Sequence, residues 1–197
     1  MTYRNRLTIL TLACLTTTLL AACSSTSPEA GRPNTAPPTT APTAVPTSTT
    51  PSASATSPTR PAAAEGLTLA AAEAFYRHYV DLMNYASQTG DTASLLAASE
   101  GGCERCKEYA NFVAKVNEAN GGLSGDYRER VKEVSELVRG SSGRVGGSAI
   151  VTVGHYTTKA SPAASPIISK PAEYTEQIAL SSSGSNWVMY ELKLESR

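Results

Sequence analysis

The stretch LTLAAAEAFYRHYVDLMNYASQTG, residues 67–90, decides the fold of this chain. Its apolar residues recur every three or four positions, which is the spacing of one helix face. They are Leu67, Ala71, Phe75, His78, Leu82 and Ala86, and Tyr79 and Met83 widen the stripe. Gly90 is a typical C-terminal cap. We therefore expect a long amphipathic helix with one face turned inward.

Two further helices are predicted after it. DTASLLAASE, residues 91–100, indicates a short helix capped by Asp91. A third helix begins near Cys103 and stops at Asn120-Gly121-Gly122. Its predicted inner face comprises Cys106, Tyr109 or Ala110, Val113 and Val116.

The second half of the sequence has the period of strands. The segments 148–157, 172–180 and 186–194 are rich in β-branched and aromatic residues, and Gly, Ser and Pro clusters separate them. Residues 126–138, DYRERVKEVSELV, suit either a helix or a long, solvent-edged strand, and the Gly-rich flanks favour the strand. Helices followed by strands indicate an α+β domain with helices on one face of an antiparallel sheet.

The helical half, residues 75–122, resembles a family of bacterial lipoproteins known only as a domain of unknown function. The resemblance rests on Phe75 and Tyr79, Asn84-Tyr85-Ala86, Gly90-Asp91 and the Cys103-x-x-Cys106 pair. That family has no established catalytic residues, so the resemblance implies none here.

The order of elements is also similar to the NTF2-like cone. That likeness implies three N-terminal helices packed on a curved four-stranded antiparallel sheet, with a pocket between helix and sheet. The residues expected to line this pocket are Phe75, His78, Tyr79 and Leu82. Fold likeness does not fix an activity.

The N-terminus has the layout of a secretory signal. Arg4 and Arg6 precede an apolar stretch from Leu7 to Leu20, and Leu20-Ala21-Ala22-Cys23 resembles a lipobox. We expect residues 1–22 to be a lipoprotein signal peptide and Cys23 to carry a diacylglyceryl anchor on the outer leaflet of the cell membrane. The alternatives are ordinary signal cleavage with an incidental cysteine, or lipidation at Cys14.

Residues 23–65 are expected to be a lipid-anchored, disordered linker. Pro, Ser, Thr and Ala dominate them, and they contain no aromatic residue. Such a segment cannot bury enough apolar surface to offset the entropy of ordering. Its composition suits a plain spacer or an O-glycosylated one. The folded domain is then assigned to residues 66–197, an ordinary single-domain length.

Cys103 and Cys106 allow three interpretations. A redox centre would follow a strand in a βαβ unit, and a zinc site would need more ligands than the two histidines of the chain supply at suitable spacing. The favoured interpretation is a short-range disulfide, because an exported protein keeps its disulfides. Redox and metal roles stay open as alternatives.

No motif assigns a catalytic residue, a cofactor or a metal. His78 lies on the apolar stripe and suits either a hydrogen-bonded core histidine or an acid/base residue in the pocket. The chain has 17 basic and 17 acidic residues, and nothing in this balance suggests the basic stripe that nucleic-acid binding requires. We expect an extracytoplasmic module that binds an envelope protein or small molecule. The alternative is a small-molecule enzyme with His78 as acid/base.

Overall fold

The three predicted helices are confirmed. The computed structural model describes residues 55–120, 122–159 and 161–196. A short 3-10 turn, Ala62–Ala64, comes first. The α-helices that follow are α1 (Leu69–Thr89), α2 (Ala93–Ala97) and α3 (Glu104–Asn120). None of the helices in this part of the chain has the length and apolar character that spanning a membrane requires.

Helix α1 ends at Gly90, as its sequence predicts, and begins after the N-cap Thr68. The Thr68 side chain accepts a hydrogen bond from the Ala71 backbone at 3.0 Å, which satisfies one free N–H of the first turn. Gly90 ends the helix with φ 77°, and its N–H bonds the Ala86 carbonyl. A Cβ at Gly90 would lie 2.7 Å from Cβ of Asn117 on α3, so this cap also permits close packing of the two helices.

The start of α2 differs by one residue from the prediction. Thr92, not Asp91, occupies the N-cap position. The Asp91 side chain still accepts a hydrogen bond from the Ala93 backbone at 3.0 Å. The aspartate therefore satisfies a free N–H of the first turn, although it lies one position before the N-cap.

The strands form two antiparallel sheets in the described residues. The main sheet has the order β2-β4-β7-β8, and β3 also pairs with β4; the smaller sheet has the order β1-β5-β6. The strands of the main sheet are β2 (Arg130–Val134), β3 (Val138–Arg139), β4 (Val145–Val153), β7 (Ala172–Ser183) and β8 (Asn186–Ser196). The smaller sheet comprises β1 (Ser124–Gly125), β5 (Tyr156–Thr158) and β6 (Ile167–Ser169).

The expected count of four strands is therefore wrong, although the mixed α+β class is confirmed. Residues 126–138 do not form one long strand. A bulge between Val131 and Glu133 interrupts the register of β2, which ends at Val134, and the Ser135 backbone N–H and hydroxyl then both donate to the Ser148 carbonyl. The strands of the smaller sheet are two or three residues long, so they are too short to show an alternating pattern in the sequence.

One edge of the main sheet is covered by the loop after α2. The Glu100 N–H donates to the Met189 carbonyl at 2.8 Å, and the Met189 N–H donates to the Ala98 carbonyl at 2.9 Å. The middle of β8 is thereby paired on both sides.

The core lies between α1 and the main sheet. Its largest fully buried side chains include Trp187, Tyr76, Tyr79 and Phe75. The Trp187 indole donates to the Thr68 carbonyl at 3.0 Å, which ties β8 to the start of α1. This bond satisfies the only polar atom of the largest buried side chain.

The ordered packing begins before the expected domain start at Gly66. Ala64 is fully buried, and the Arg60 guanidinium lies 4.6 Å from the centre of the Phe75 ring. Arg60 also donates to the carbonyls of Ala64 and Trp187, each at 3.2 Å. Composition alone places this boundary too late in the chain, because the packing before Gly66 depends on only two side chains, those of Arg60 and Ala64. The expected signal peptide, Cys23 and the linker up to residue 54 lie outside the described residues.

We expect Arg60→Ala to destabilise the domain, although Arg60 lies in a segment that has the composition of a linker. The change removes two hydrogen bonds and a cation–π contact and should lower the free energy of unfolding by about 1–3 kcal/mol. Urea denaturation of the full chain measures this. The matched control is Arg77→Ala, which breaks only the exposed ion pair with Glu73 and should cost below about 1 kcal/mol. Equal effects of the two changes would contradict the role of Arg60.

Candidate functional site

The cysteine pair lies at the start of α3, as expected. The Sγ atoms of Cys103 and Cys106 are at bonding distance and the Cα atoms are 5.3 Å apart, so the pair is disulfide-capable. Both residues are buried. Among the described residues, no cluster of three or more His, Cys, Asp or Glu side chains could hold a metal ion.

The four residues expected to line a pocket lie in the core instead. Phe75, His78, Tyr79 and Leu82 are all buried, and none of them lines the cavity described below. Phe75 packs under Arg60, and the Tyr79 hydroxyl bonds the Ser99 hydroxyl at 2.8 Å. The expectation fails because α1 is buried on two sides. The segment before Gly66 contacts the face that carries Phe75, whereas Tyr76 faces the sheet.

His78 is placed as a core histidine. Burial lowers its pKa, the charge of Arg60 lowers it further, and Asp81 opposes both. The lowered pKa favours the neutral imidazole, and His78 is not among the residues that line the cavity described below.

A cavity of about 270 Å3 opens between α1, α3 and β8. Four apolar side chains line it: Met83, Phe112, Leu192 and Leu194. Four polar side chains complete the lining: Arg105, Glu108, Tyr109 and Glu129. The contribution of α3 follows from its sequence, because positions 105, 108, 109 and 112 recur at the spacing of one helix face. Leu192 and Leu194 are two positions apart on β8, so their side chains lie on the same face of the strand.

Tyr109 is held rigidly at the cavity wall. Its hydroxyl lies 2.8 Å from the Ser87 hydroxyl and 3.3 Å from the Met83 carbonyl. Burial raises the pKa of Tyr109, and the carboxyl of Glu129 raises it further. The phenol is therefore neutral at physiological pH, and its ring is a fixed part of the lining.

Glu129 is fixed through its backbone by Asn84 of α1. The Asn84 amide donates to the Glu129 carbonyl at 2.9 Å and accepts from the Glu129 N–H at 2.8 Å. This reciprocal pair positions the residue just before β2. Among the described residues, no group hydrogen-bonds Oε2 of the carboxyl, which is buried although the residue as a whole is partly exposed.

A second buried acid, Glu176 of β7, lies close enough to Glu129 for the two carboxyls to interact electrostatically. Glu176 is 0% exposed, and its Oε2 accepts a hydrogen bond of 2.6 Å from the Tyr76 hydroxyl. Its Oε1 has no hydrogen-bond partner among the described residues. The chain thus contains a pair of interacting carboxyls, which the sequence analysis did not find.

The pKa values of both acids are raised above their ordinary range. Burial and the neighbouring Glu176 raise the pKa of Glu129 to about 8. Burial also raises the pKa of Glu176, and the hydrogen bond from Tyr76 opposes that shift. Two interacting carboxyls in an apolar interior cannot both ionise cheaply. A pKa of about 8 means that the Glu129 carboxyl is mainly protonated at neutral pH.

One signal in the sequence could have located Glu176. Tyr174, Glu176, Ile178 and Leu180 share the parity of the inward face of β7, so the glutamate falls among core positions. A charged residue at such a position is rarely fully buried without a functional or structural reason. Glu129 carries no comparable signal, because it precedes the strand and its placement depends on Asn84.

We expect the stability of the domain to fall as the pH rises from about 4.5 to about 8. A raised native-state pKa means that the folded protein holds a proton that the unfolded chain has already released. Glu129→Gln should flatten this slope, with a remainder from Glu176. Free energies of unfolding from pH 5 to pH 9 measure it. Glu133→Gln, at an exposed position of β2, is the control and should leave the slope unchanged. A wild-type stability that rises over this interval would contradict the assignment.

The similarities to solved structures are distant. The intermembrane space region of the chloroplast protein ARC6 is 15% identical, with a TM-score of 0.48; the match covers 66% of this chain and 98% of that one. Aln2 from a Streptomyces species is 14% identical over 64% of this chain and 87% of its own, with a TM-score of 0.41. A protein described as a candidate polyketide cyclase, from Xanthomonas campestris pv. campestris, is 14% identical over 62% and 90%, with a TM-score of 0.34.

At TM-scores below 0.5 these similarities carry no argument about this chain. No curated protein matches it. The family match is of a different kind, because it spans residues 44–192 and so includes seven of the eight residues that line the cavity, both buried acids and the cysteine pair. The chain belongs to the Family of unknown function (DUF6318).

Proposed function

We propose that this chain is an extracytoplasmic domain that binds a small, mainly apolar ligand in the cavity between α1, α3 and β8. The observation that carries the proposal is the cavity itself, with four apolar side chains and one buried carboxyl whose oxygen has no partner among the described residues. Small-molecule sites combine apolar walls with a few convergent polar groups in this way.

The mouth of the cavity supports the proposal. Phe112 is 45% exposed and Leu194 is 61% exposed, and both line the opening. Large apolar side chains that converge on a concave surface stabilise a bound apolar group, because each loses contact with water when the ligand binds. The volume of about 270 Å3 lies near the lower limit of about 300 Å3 for typical ligand pockets, so the ligand is small.

We also propose that the arrangement is an NTF2-like cone. Its support is the four-strand path β2-β4-β7-β8 with α1 and α3 on one face, and a cavity between helices and sheet. In such a cone the cavity lies on the axis of the fold, where it is suited to ligands.

A membrane location through a lipid anchor is the second part of the proposal. Its support is the signal-like N-terminus with Leu20-Ala21-Ala22-Cys23. A diacylglyceryl group holds a protein durably at a membrane surface, since two chains together bind far more tightly than one. The domain would then meet its ligand, or a protein partner that delivers the ligand, in the cell envelope.

A proton-transfer enzyme is the second candidate function. One observation favours it: a carboxyl that titrates at about pH 8 faces the cavity beside Tyr109. Acid/base catalysts work best when their pKa lies near the working pH. In this version Glu129 takes the role that the sequence suggested for His78. Turnover of a bound compound by the wild type, lost in Glu129→Gln, would select the enzyme over the binding module.

We expect the uncharged fluorescent dye N-phenyl-1-naphthylamine to bind the cavity, and Leu194→Arg to weaken that binding about tenfold or more. The change places a long charged side chain at the mouth and removes about 1.5–3 kcal/mol of apolar burial. A fluorescence titration of the full chain measures both dissociation constants. Ile168→Arg, at a 65% exposed position of the smaller sheet, is the matched control and should bind as the wild type does. Equal binding by all three proteins would place the dye elsewhere and sink the cavity proposal.

We expect Cys23→Ser to release the protein from membranes. Without the thiol no thioether can form, so the variant should leave the detergent phase in a Triton X-114 partition, whereas the wild type should enter it. Cys14→Ser is the control, since it removes the competing cysteine and should partition as the wild type does. A wild type found in the aqueous phase, or a Cys14→Ser variant that loses the anchor, would contradict the assignment of Cys23.

A further inference from the structure

We infer that the ligand of this cavity carries a positively charged amine, which pairs with the Glu129 carboxyl, with Glu176 adding negative charge behind it. The inference rests on the proposed binding function and names the chemical class of its ligand. It follows from three features of the cavity and of the acid pair beside it: two unpartnered buried oxygens, the charge balance around them and the aromatic lining of the cavity.

The first feature is the pair of buried oxygens. Glu129 Oε2 and Glu176 Oε1 are both buried, and among the described residues neither has a hydrogen-bond partner. Burying an unpaired acid is costly, and natural proteins satisfy such groups with a partner. An ammonium group supplies up to three N–H donors and a positive charge, and it can therefore satisfy a carboxylate that the chain leaves unpaired.

The second feature is the charge balance around the pair. From α1, Tyr76, Arg77 and Asp81 face this region; Arg77 is paired with Glu73 at 2.8 Å and Asp81 is exposed. From α3, Arg105 and Glu108 pair with each other at 2.9 Å beside the neutral Tyr109.

The strands complete the surroundings. Next to Glu129, Arg128 is exposed to water and Arg130 is paired with Asp126 at 2.7 Å. From β7, Tyr174 and Glu176 contribute no positive charge. Apart from the water-exposed Arg128, each arginine near the cavity in the described part of the chain therefore has its own acid, and the two buried carboxyls are left without a cation.

The third feature is the aromatic lining. The rings of Tyr109 and Phe112 face the cavity together with Glu129. An ammonium group near an aromatic face is attracted by the ring, and a cation beside both a carboxylate and a ring gains from each. The apolar remainder of the ligand then contacts Met83, Leu192 and Leu194.

A neutral ligand would use the same site in the opposite protonation state. An alcohol or carbonyl compound would accept a hydrogen bond from protonated Glu129, so its affinity would fall once Glu129 ionises. A charged amine requires the ionised carboxylate, so its affinity rises with pH until Glu129 has lost its proton. The direction of the pH dependence distinguishes the two ligand classes.

The test compares three probes that share one apolar group: 2-phenylethylamine, 2-phenylethanol and 3-phenylpropionate. Binding to the full chain is measured by calorimetry at pH 6 and pH 8.5, where the amine stays protonated. The amine should bind tightest, with an affinity that rises more than about tenfold between the two pH values. The alcohol should bind more weakly and lose affinity over the same interval, and the propionate should not bind.

Two variants locate the effect. Glu129→Gln should abolish the pH dependence of amine binding and weaken it about tenfold at pH 8.5, while binding of the alcohol changes little. Glu133→Gln removes an exposed acid of β2 that does not line the cavity, and amine binding should keep its affinity and its pH dependence.

Tighter binding of the alcohol or the propionate than of the amine at both pH values would overturn the inference, and so would an amine affinity that is flat with pH in the wild type. The cavity proposal would survive either result if the uncharged dye still binds. Failure of the dye and of all three probes would reject the cavity proposal itself.

Discussion

The architecture depends on one buried side chain in the middle of β7. Glu176 is fully buried, and its hydrogen bond to Tyr76 joins the sheet to α1. A slip of β7 by a single residue would turn this acid and its apolar neighbours outward, so the register of the strand and the position of the helix are fixed together. Unlike an apolar contact, this bond has one satisfied geometry, which selects a single packing of helix on sheet.

The same acid makes the interior costly to maintain. A second carboxyl, Glu129, is held nearby by the amide of Asn84, and the charge of Glu176 raises its pKa. Replacing such a pair by apolar side chains would be the cheaper way to fill a core. A costly acid pair beside an apolar cavity is consistent with the proposed ligand, whose positive charge would compensate the pair.

The elements that repeat a simple period were predictable from the sequence. The apolar stripe, Gly90 and the Asn120-Gly121-Gly122 stop predict α1 and α3, and the alternation in residues 172–180 and 186–194 predicts the two longest strands. The site was not predictable in the same way. Glu129 reaches the cavity through a contact with Asn84, 45 positions earlier in the chain, and no local pattern encodes such a pairing. The prediction that His78 lines a pocket was wrong because an apolar stripe indicates burial but not which neighbouring segment covers it.

The edges of the main sheet have a consequence for crowding. At one edge, the backbone of Ala98 and Glu100 occupies the hydrogen-bonding groups in the middle of β8. At the other edge, β2 carries a bulge and the exposed side chains of Arg130, Lys132 and Glu133. A second copy of the chain would therefore meet an interrupted ladder at Met189 of β8 and at the bulge of β2. On a membrane surface, where the proposed lipid anchor would place the domain, copies would collide far more often than in free solution, and these interruptions would oppose intermolecular β-structure.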